Sequence, residues 1–237
     1  RRVLFRSIEE TARFCSQCGN QTVKAEPVGP PPLPVGHAAS PRGAARMAQA
    51  QMAVQEWTAS QFLALPQRLP LADRWGRILT PVFLATGEDL GLRLVAQGFV
   101  RVAPAHSDPC LAPLLEAEQR ARNAKLGLWA DSYYAVLAAT SPTALAAHAG
   151  EFVIVEGVVQ RMGQTSARIY LDLGAARERN LSVTMSRQNM KVFAAAGGVP
   201  DQWIGKTIRV RGVLDFGERP QIEIYTPAAV DVIGPKL

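Results

Sequence analysis

Gly87-Glu88-Asp89-Leu90-Gly91-Leu92-Arg93-Leu94-Val95-Ala96-Gln97-Gly98-Phe99-Val100-Arg101-Val102 is the stretch on which the reading of this chain turns. Gly87-Glu88-Asp89 introduces a helix that runs through the apolar positions after it. Gly98 then supplies the backbone freedom that ends a helix. The spacing predicts a short helix over 90–97, closed by Gly98, and a strand over 99–102. The elements on either side follow from the same rules. Ile78 to Leu84 is an apolar run of strand length. Pro109 to Lys125 reads as a helix with an apolar face of Leu111, Leu114, Leu115, Ala121 and Leu126. Its polar face carries Glu116, Glu118, Arg120, Arg122 and Lys125, and Gly127-Leu128-Trp129 stops it.

Further out, residues 8–27 read as two short strands turning at Gly19-Asn20. Pro27 to Pro34 holds five prolines, too many for a helix or a central strand. Pro41 opens a helical stretch predicted to reach about Leu65, with Met47, Val54, Trp57 and Leu65 on one stripe. Residues 138–149 are rich in alanine and read as a linker or short helix. From Glu151 the pattern changes to period two. Strands are predicted over 152–159, 169–173, 181–185, 206–214 and 221–225, with a helix over 189–196. Short strands with one helix suggest a small Greek-key barrel such as an OB fold.

The chain has 237 residues, 48% of them hydrophobic, which is enough for one large or two small domains. No apolar run is long enough and free enough of charge to span a membrane. The formal charge of +6 suits a polyanionic partner. Arg1-Arg2-Val3-Leu4-Phe5-Arg6-Ser7 resembles the translation of a sequencing-library adapter, so residues 1–7 are set aside as an artefact. Removing the charges of Arg1, Arg2 and Arg6 leaves +3. On that expectation the true start, with any signal peptide, is missing. Cys15, Cys18 and Cys110 are odd in number, which argues against a complete disulfide framework. Cys15 and Cys18 have the spacing of half a zinc site, but His37, His106 and His148 are too scattered to complete it. Incidental thiols at a hairpin turn, or a strained local disulfide, are the other readings.

Three blocks carry a family resemblance. Asp73-Arg74-Trp75-Gly76-Arg77 is similar to the Asp-Arg-Tyr-Gly-Arg motif of thermonuclease domains. Gly87 to Val102 resembles the helix that follows it, with its Gln-Gly and returning strand. Glu116 to Trp129 looks like the last helix, ending in Gly-Leu-Trp. Over about residues 8–135 the chain therefore resembles the staphylococcal-nuclease family. The region from Glu151 is similar to a C-terminal extension of some bacterial members. The resemblance implies a β-rich α+β fold: a nuclease-like OB barrel with three helices over 8–137, a linker over 138–150, and a second small OB-like barrel over 151–237.

In that family a calcium ion is held by two aspartates and a threonine carbonyl. A glutamate aids the attacking water, and two arginines grip the phosphate. Arg77 falls on the second arginine. Laying the first hairpin on the family's puts Glu10-Thr11 at an Asp-Thr pair, so that Glu10 is the one metal candidate, and Lys24 at the first arginine. Gly29 and Pro32 then stand at the second aspartate and the glutamate. Sliding Pro27 onto the family's Thr-Pro step puts Ala25 and Val28 there instead. Loss of a general base costs about 100- to 10,000-fold, and lysine lacks the bidentate fork of arginine. The resemblance with these departures implies a degenerate nuclease kept as a scaffold for nucleic acid or a protein partner. The alternative is an active calcium-dependent endonuclease, and calcium is expected only in that case. Relatives are often exported to the periplasm or beyond, and the sequence leaves localisation open.

In the C-terminal part, Arg209 and Arg211 alternate with Ile208 and Val210, and Arg168 and Tyr170 with Ile169 and Leu171. Basic residues beside an aromatic on a barrel face are what single-strand binders use. These four are the candidate nucleic-acid residues, although Asp172 and Glu223 share such faces. Arg93, Arg101 and Lys125 read as solvated charges, and the four tryptophans as packing residues.

Overall fold

The computed structural model describes residues 20–24, 41–59, 61–66, 80–103, 111–174, 180–217 and 219–234. The chain divides into two compact units, Arg1–Val102 with Pro109–Asp131, and Ala103–Asp108 with Ser132–Leu237.

In the first unit, β1 (Asn20–Lys24) pairs antiparallel with β2 (Phe62–Pro66). Between them, α1 (Pro41–Thr58) begins on a proline whose missing N–H costs nothing at a helix start. The helix was expected to run to about Leu65. It stops at Thr58, whose hydroxyl donates to the Val54 carbonyl at 2.7 Å, and Phe62–Pro66 becomes a strand. A five-residue apolar run suits either state by pattern alone. Pairing with β1 decides it, together with two backbone hydrogen bonds between Ala64 and Phe83 at 2.8 and 2.9 Å. Of the predicted strand over 78–84, residues 80–84 are described, and among them only Phe83 is in a β-bridge, to Ala64 and Asp89.

Helix α2 (Leu90–Ala96) forms as the pattern requires. The Asp89 side chain accepts from Leu92 N at 3.0 Å. At the other end Gly98 sits at φ 73°. There Gly98 N donates to Val95 O and Phe99 N to Leu94 O, both at 3.0 Å, the pair of bonds that a left-handed glycine permits. Residues 99–102, predicted as a strand, form none among the described residues. The segment is held instead by a side chain of α3 (Leu111–Asn123): Val102 N donates to Glu118 Oε1 at 2.7 Å. Glu118, placed on the polar face by its residue type, is only 1% exposed. Val95, Val102 and Ala117 form the small core that α2 and α3 share.

The second unit is a closed barrel. β4 (Phe152–Gln164), β5 (Arg168–Leu173), β6 (Ser182–Ser186), β7 (Thr207–Phe216) and β8 (Pro220–Glu223) follow the ring order β4-β5-β6-β8-β7-β4. Every pairing in the ring is antiparallel except β6–β8. Closure works because β4 serves two partners. Phe152–Val158 pairs with β7 and Val159–Gln164 with β5, with a register shift between Val159 and Arg161 at the bend. Gly157 sits at that bend, where an added Cβ would lie 2.6 Å from the Ala139 Cβ. The core runs along the inner faces through Val153, Val155, Ile169, Leu171, Ile208, Val210 and Ile222, with Phe193 of α5 (Met190–Ala195) closing one end.

Residues 138–150, read as a linker or short helix, are built into this unit. β3 (Leu137–Ala138) lies parallel to β4, and Ala139 and Leu145, the latter in α4 (Pro142–Ala147), belong to the core. β9 (Val230–Ile233), not anticipated, pairs with β7. Of the two barrels expected, one is found among the described residues, which are mixed α and β with one five-stranded barrel, and the described strands of the first unit are β1 and β2 alone. The other strand expected of the first hairpin, before Gly19, lies outside the described residues.

Candidate nucleic-acid interface

Alternation along the barrel strands decides which side chains face outward. On β5 the inner positions are Ile169, Leu171 and Leu173, so Arg168, Tyr170 and Asp172 share the outer face. On β7 the inner Ile208 and Val210 leave Arg209 and Arg211 outside. The sequence thus placed all four candidates on outer faces. Their electrostatic settings differ, because register assigns each a different neighbour.

Glu156 stands opposite Arg209 across β4 and β7, and the pair forms an ion bridge at 2.9 Å. Arg211 reaches Asp231 of β9 at 3.3 Å and is 4% exposed. A guanidinium so buried and already paired has little left for a polyanion in solvent. Arg168 bridges to Glu223 at 3.1 Å. Arg168 and Arg211 do come together as lining of a groove of about 470 Å³, shared with Thr184, Glu223 and Tyr225. In that groove the Tyr225 hydroxyl is held above its ordinary pKa of 10.0. Burial is the first cause, then the hydrogen bond to Glu223 and that residue's charge, with Arg168 pulling the other way. Arg209 and Tyr170 lie outside this lining.

Tyr170 belongs to a different cluster. Asp172, two residues along β5, is 6% exposed and accepts from two guanidiniums. Arg161 donates to its Oδ2 from Nη2 at 2.7 Å and from Nε at 3.1 Å, and Arg219 donates to Oδ1 at 3.2 Å. The Arg219 guanidinium also lies 5.6 Å from the centre of the Tyr170 ring, within cation–π range. Sequence reading missed Arg161 and Arg219. Arg161 faces Asp172 only because of the register shift in β4, and Arg219 precedes β8 in a turn whose direction the sequence does not state. Alternation around Asp172 was the available signal: an acid on an outer barrel face needs a cationic neighbour if it is to be buried.

The residues proposed for phosphodiester chemistry are less visible. Arg77 and Glu10 lie outside the described residues, as do Cys15, Cys18 and the proline-rich segment. Lys24 is the last residue of β1, opposite Phe62. Arg93, read as a solvated charge, bridges to Glu88 at 3.0 Å and lies 4.2 Å from the Trp57 ring centre. Arg101 lies 5.6 Å from the ring centre of the buried Trp129. Among the described residues, no three His, Cys, Asp or Glu side chains are grouped as metal ligands, and no helix is long and apolar enough to cross a membrane.

Two of the three blocks that carried the resemblance meet in space, while Asp73-Arg74-Trp75-Gly76-Arg77 lies outside the described residues. Gly98 O accepts from Leu128 N at 2.8 Å, so the Gln-Gly of the α2 turn is bonded to the Gly-Leu-Trp that follows α3. That contact ties together two stretches about thirty residues apart by sequence number. No curated protein matches the chain. A family model does: residues 24–131 match the family described as staphylococcal nuclease homologue. The match covers α1 to α3 and stops before the barrel. Over residues 24–131, then, this chain carries a staphylococcal-nuclease-like domain.

Proposed function

We propose that this chain binds nucleic acid without hydrolysing it, through a nuclease-family domain that lacks the second metal aspartate and the glutamate of the family site, and an OB-like barrel that follows it. The observation that carries the reading is the family match over 24–131 set against the sequence just after Lys24. In one register Gly29 and Pro32, and in the other Ala25 and Val28, stand where the family places an aspartate and a glutamate. These residues do not fit a calcium centre of the family type, because neither pair offers the charged oxygen ligands that calcium needs.

The barrel's connectivity supports the OB-like reading. Five strands close in the order first, second, third, fifth, fourth, with the third and fifth parallel and a helix between the third and fourth. Modules of this kind present a sheet face to single strands. A second reading, calcium-dependent cleavage, has Arg77 within Asp73-Arg74-Trp75-Gly76-Arg77 in its favour, since a guanidinium there can grip two phosphate oxygens at once.

One assay separates the two. The chain is mixed with labelled single-stranded DNA at two salt concentrations, with and without calcium. Salt-sensitive binding without cleavage is expected. Calcium-dependent cleavage that Arg77→Ala abolishes would overturn the proposal and establish the second reading.

A further inference from the structure

The geometry points to a single-strand subsite on the outer face of β4 and β5, centred on Tyr170 with Arg161 and Arg219, rather than on the arginines of β7. It rests on the nucleic-acid reading above and names where on the barrel the contact is made.

Three observations carry it. The first is charge. Arg161 and Arg219 share one carboxylate, Asp172, so the cluster has a net charge of +1. Arg161 spends two N–H donors on that acid and Arg219 one, of about five on each guanidinium. The Arg161 side chain is 51% exposed, so it can meet a phosphate without leaving its place. Asp172 holds both cations in position, which lowers the ordering cost of binding. By contrast, each β7 arginine has an acid of its own, and its side chain is 19% exposed for Arg209 and 3% for Arg211.

The second is a flat ring next to those cations. Tyr170 and Asp172 are alternate residues on the outer face of β5, about 6.6 Å apart along it. An aromatic beside phosphate-binding donors matches the alternation of base and phosphate in a single strand, and any base can stack on it.

The third is room. The residue paired with Tyr170 on β4 is Gly163. A Cβ built there would have no heavy atom within 4 Å. Directly opposed side chains on paired strands normally lie about 4.5–5.5 Å apart and cover one another. A glycine at this position leaves that side of the tyrosine uncovered. Its backbone is outside the positive-φ region, so the turn geometry does not call for glycine.

The test uses the full chain and fluorescein-labelled oligothymidylate, read by anisotropy in EDTA so that no calcium-dependent cleavage consumes the probe. Tyr170→Ala is expected to weaken binding about 5- to 150-fold, the range for one stacked base. Gly163→Val fills the open space with a residue suited to a strand. It should weaken binding by a similar factor while the melting temperature holds. Arg161→Gln should lower the slope of log affinity against log salt by about 0.7, one phosphate contact. Arg209→Gln should leave the slope unchanged.

If the wild type binds and both Tyr170→Ala and Gly163→Val stay within twofold of it, this subsite is wrong while the nucleic-acid reading stands. A wild type that binds no oligonucleotide at low salt sinks both. Equal affinity for polyphosphate of matched charge would remove the stacking contribution and overturn the assignment of a nucleic acid to this face.

Discussion

Replacing Gly98 by alanine tests the packing of the nuclease-like unit at a tightly constrained point. Gly98 sits at φ 73°, and a Cβ there would lie 2.3 Å from Leu126 O and 2.7 Å from Leu126 C. Both atoms are backbone, so no side chain can rotate aside. Leu126 is itself fixed by the bond from its N to Ala121 O at 2.9 Å. The left-handed conformation costs an alanine about 1–2 kcal/mol, and forcing a methyl group into a filled space costs about 1–3 kcal/mol more. A loss of about 2–5 kcal/mol is expected, or a fall in melting temperature on the order of 10–20 °C for a unit of this size. Guanidinium unfolding followed by tryptophan fluorescence would measure it, since Trp129 is buried just beyond the contact. Gly205→Ala is the reference: its φ is 79°, but no atom lies within 4 Å of the added carbon. Only the conformational cost of about 1–2 kcal/mol applies there. If Gly98→Ala loses no more than Gly205→Ala, the close approach of the two turns does not constrain the fold, and the physical account of the Gln-Gly and Gly-Leu-Trp blocks fails.

Glu118→Ala should destabilise the same unit by about 1–3 kcal/mol, because Val102 N is left without its buried acceptor; hydrogen exchange at that amide should rise with it. In the barrel, Gly157→Ala should cost about 1–3 kcal/mol by denaturant titration, since the new methyl meets Ala139 Cβ at 2.6 Å and Leu173 Cβ at 3.2 Å. The Tyr225 hydroxyl is shifted upward, so its neutral form is favoured by folding. The stability it contributes is present below pH 10 and fades as pH rises through the folded value. Ultraviolet titration should show one tyrosine ionising above the ordinary range, and Glu223→Gln should bring it down.

The outline of both units was legible because it depends on local chemistry. Asp89 and Gly98 bracket α2 by capping and by left-handed backbone, and both effects act within a few residues. Period-two alternation on β5 and β7 assigned the inner and outer faces for the same reason. The sequence also showed, with no fold needed, that five prolines and one glycine stand among the eight residues from Pro27 to Pro34. What failed were elements whose state depends on a distant partner. Phe62–Pro66 is a strand because β1 lies beside it, and residues 99–102 form no strand because the acceptor for Val102 N is a helix side chain. Charge followed the same rule. Arg209, Arg211, Arg168 and Tyr170 look alike as a list of outward residues, and only the neighbouring strands decide that Arg209 pairs with Glu156 and Arg211 diagonally with Asp231 while Tyr170 faces a bare glycine. A side chain's direction comes from its own strand, but its partner comes from the neighbouring one, and strand neighbours here are separated by up to tens of residues. Periodicity therefore determined the helices of the first unit and the strands of the second, and the motif blocks carried the nuclease resemblance. Tertiary pairing alone determined which of its cations remain available to a ligand.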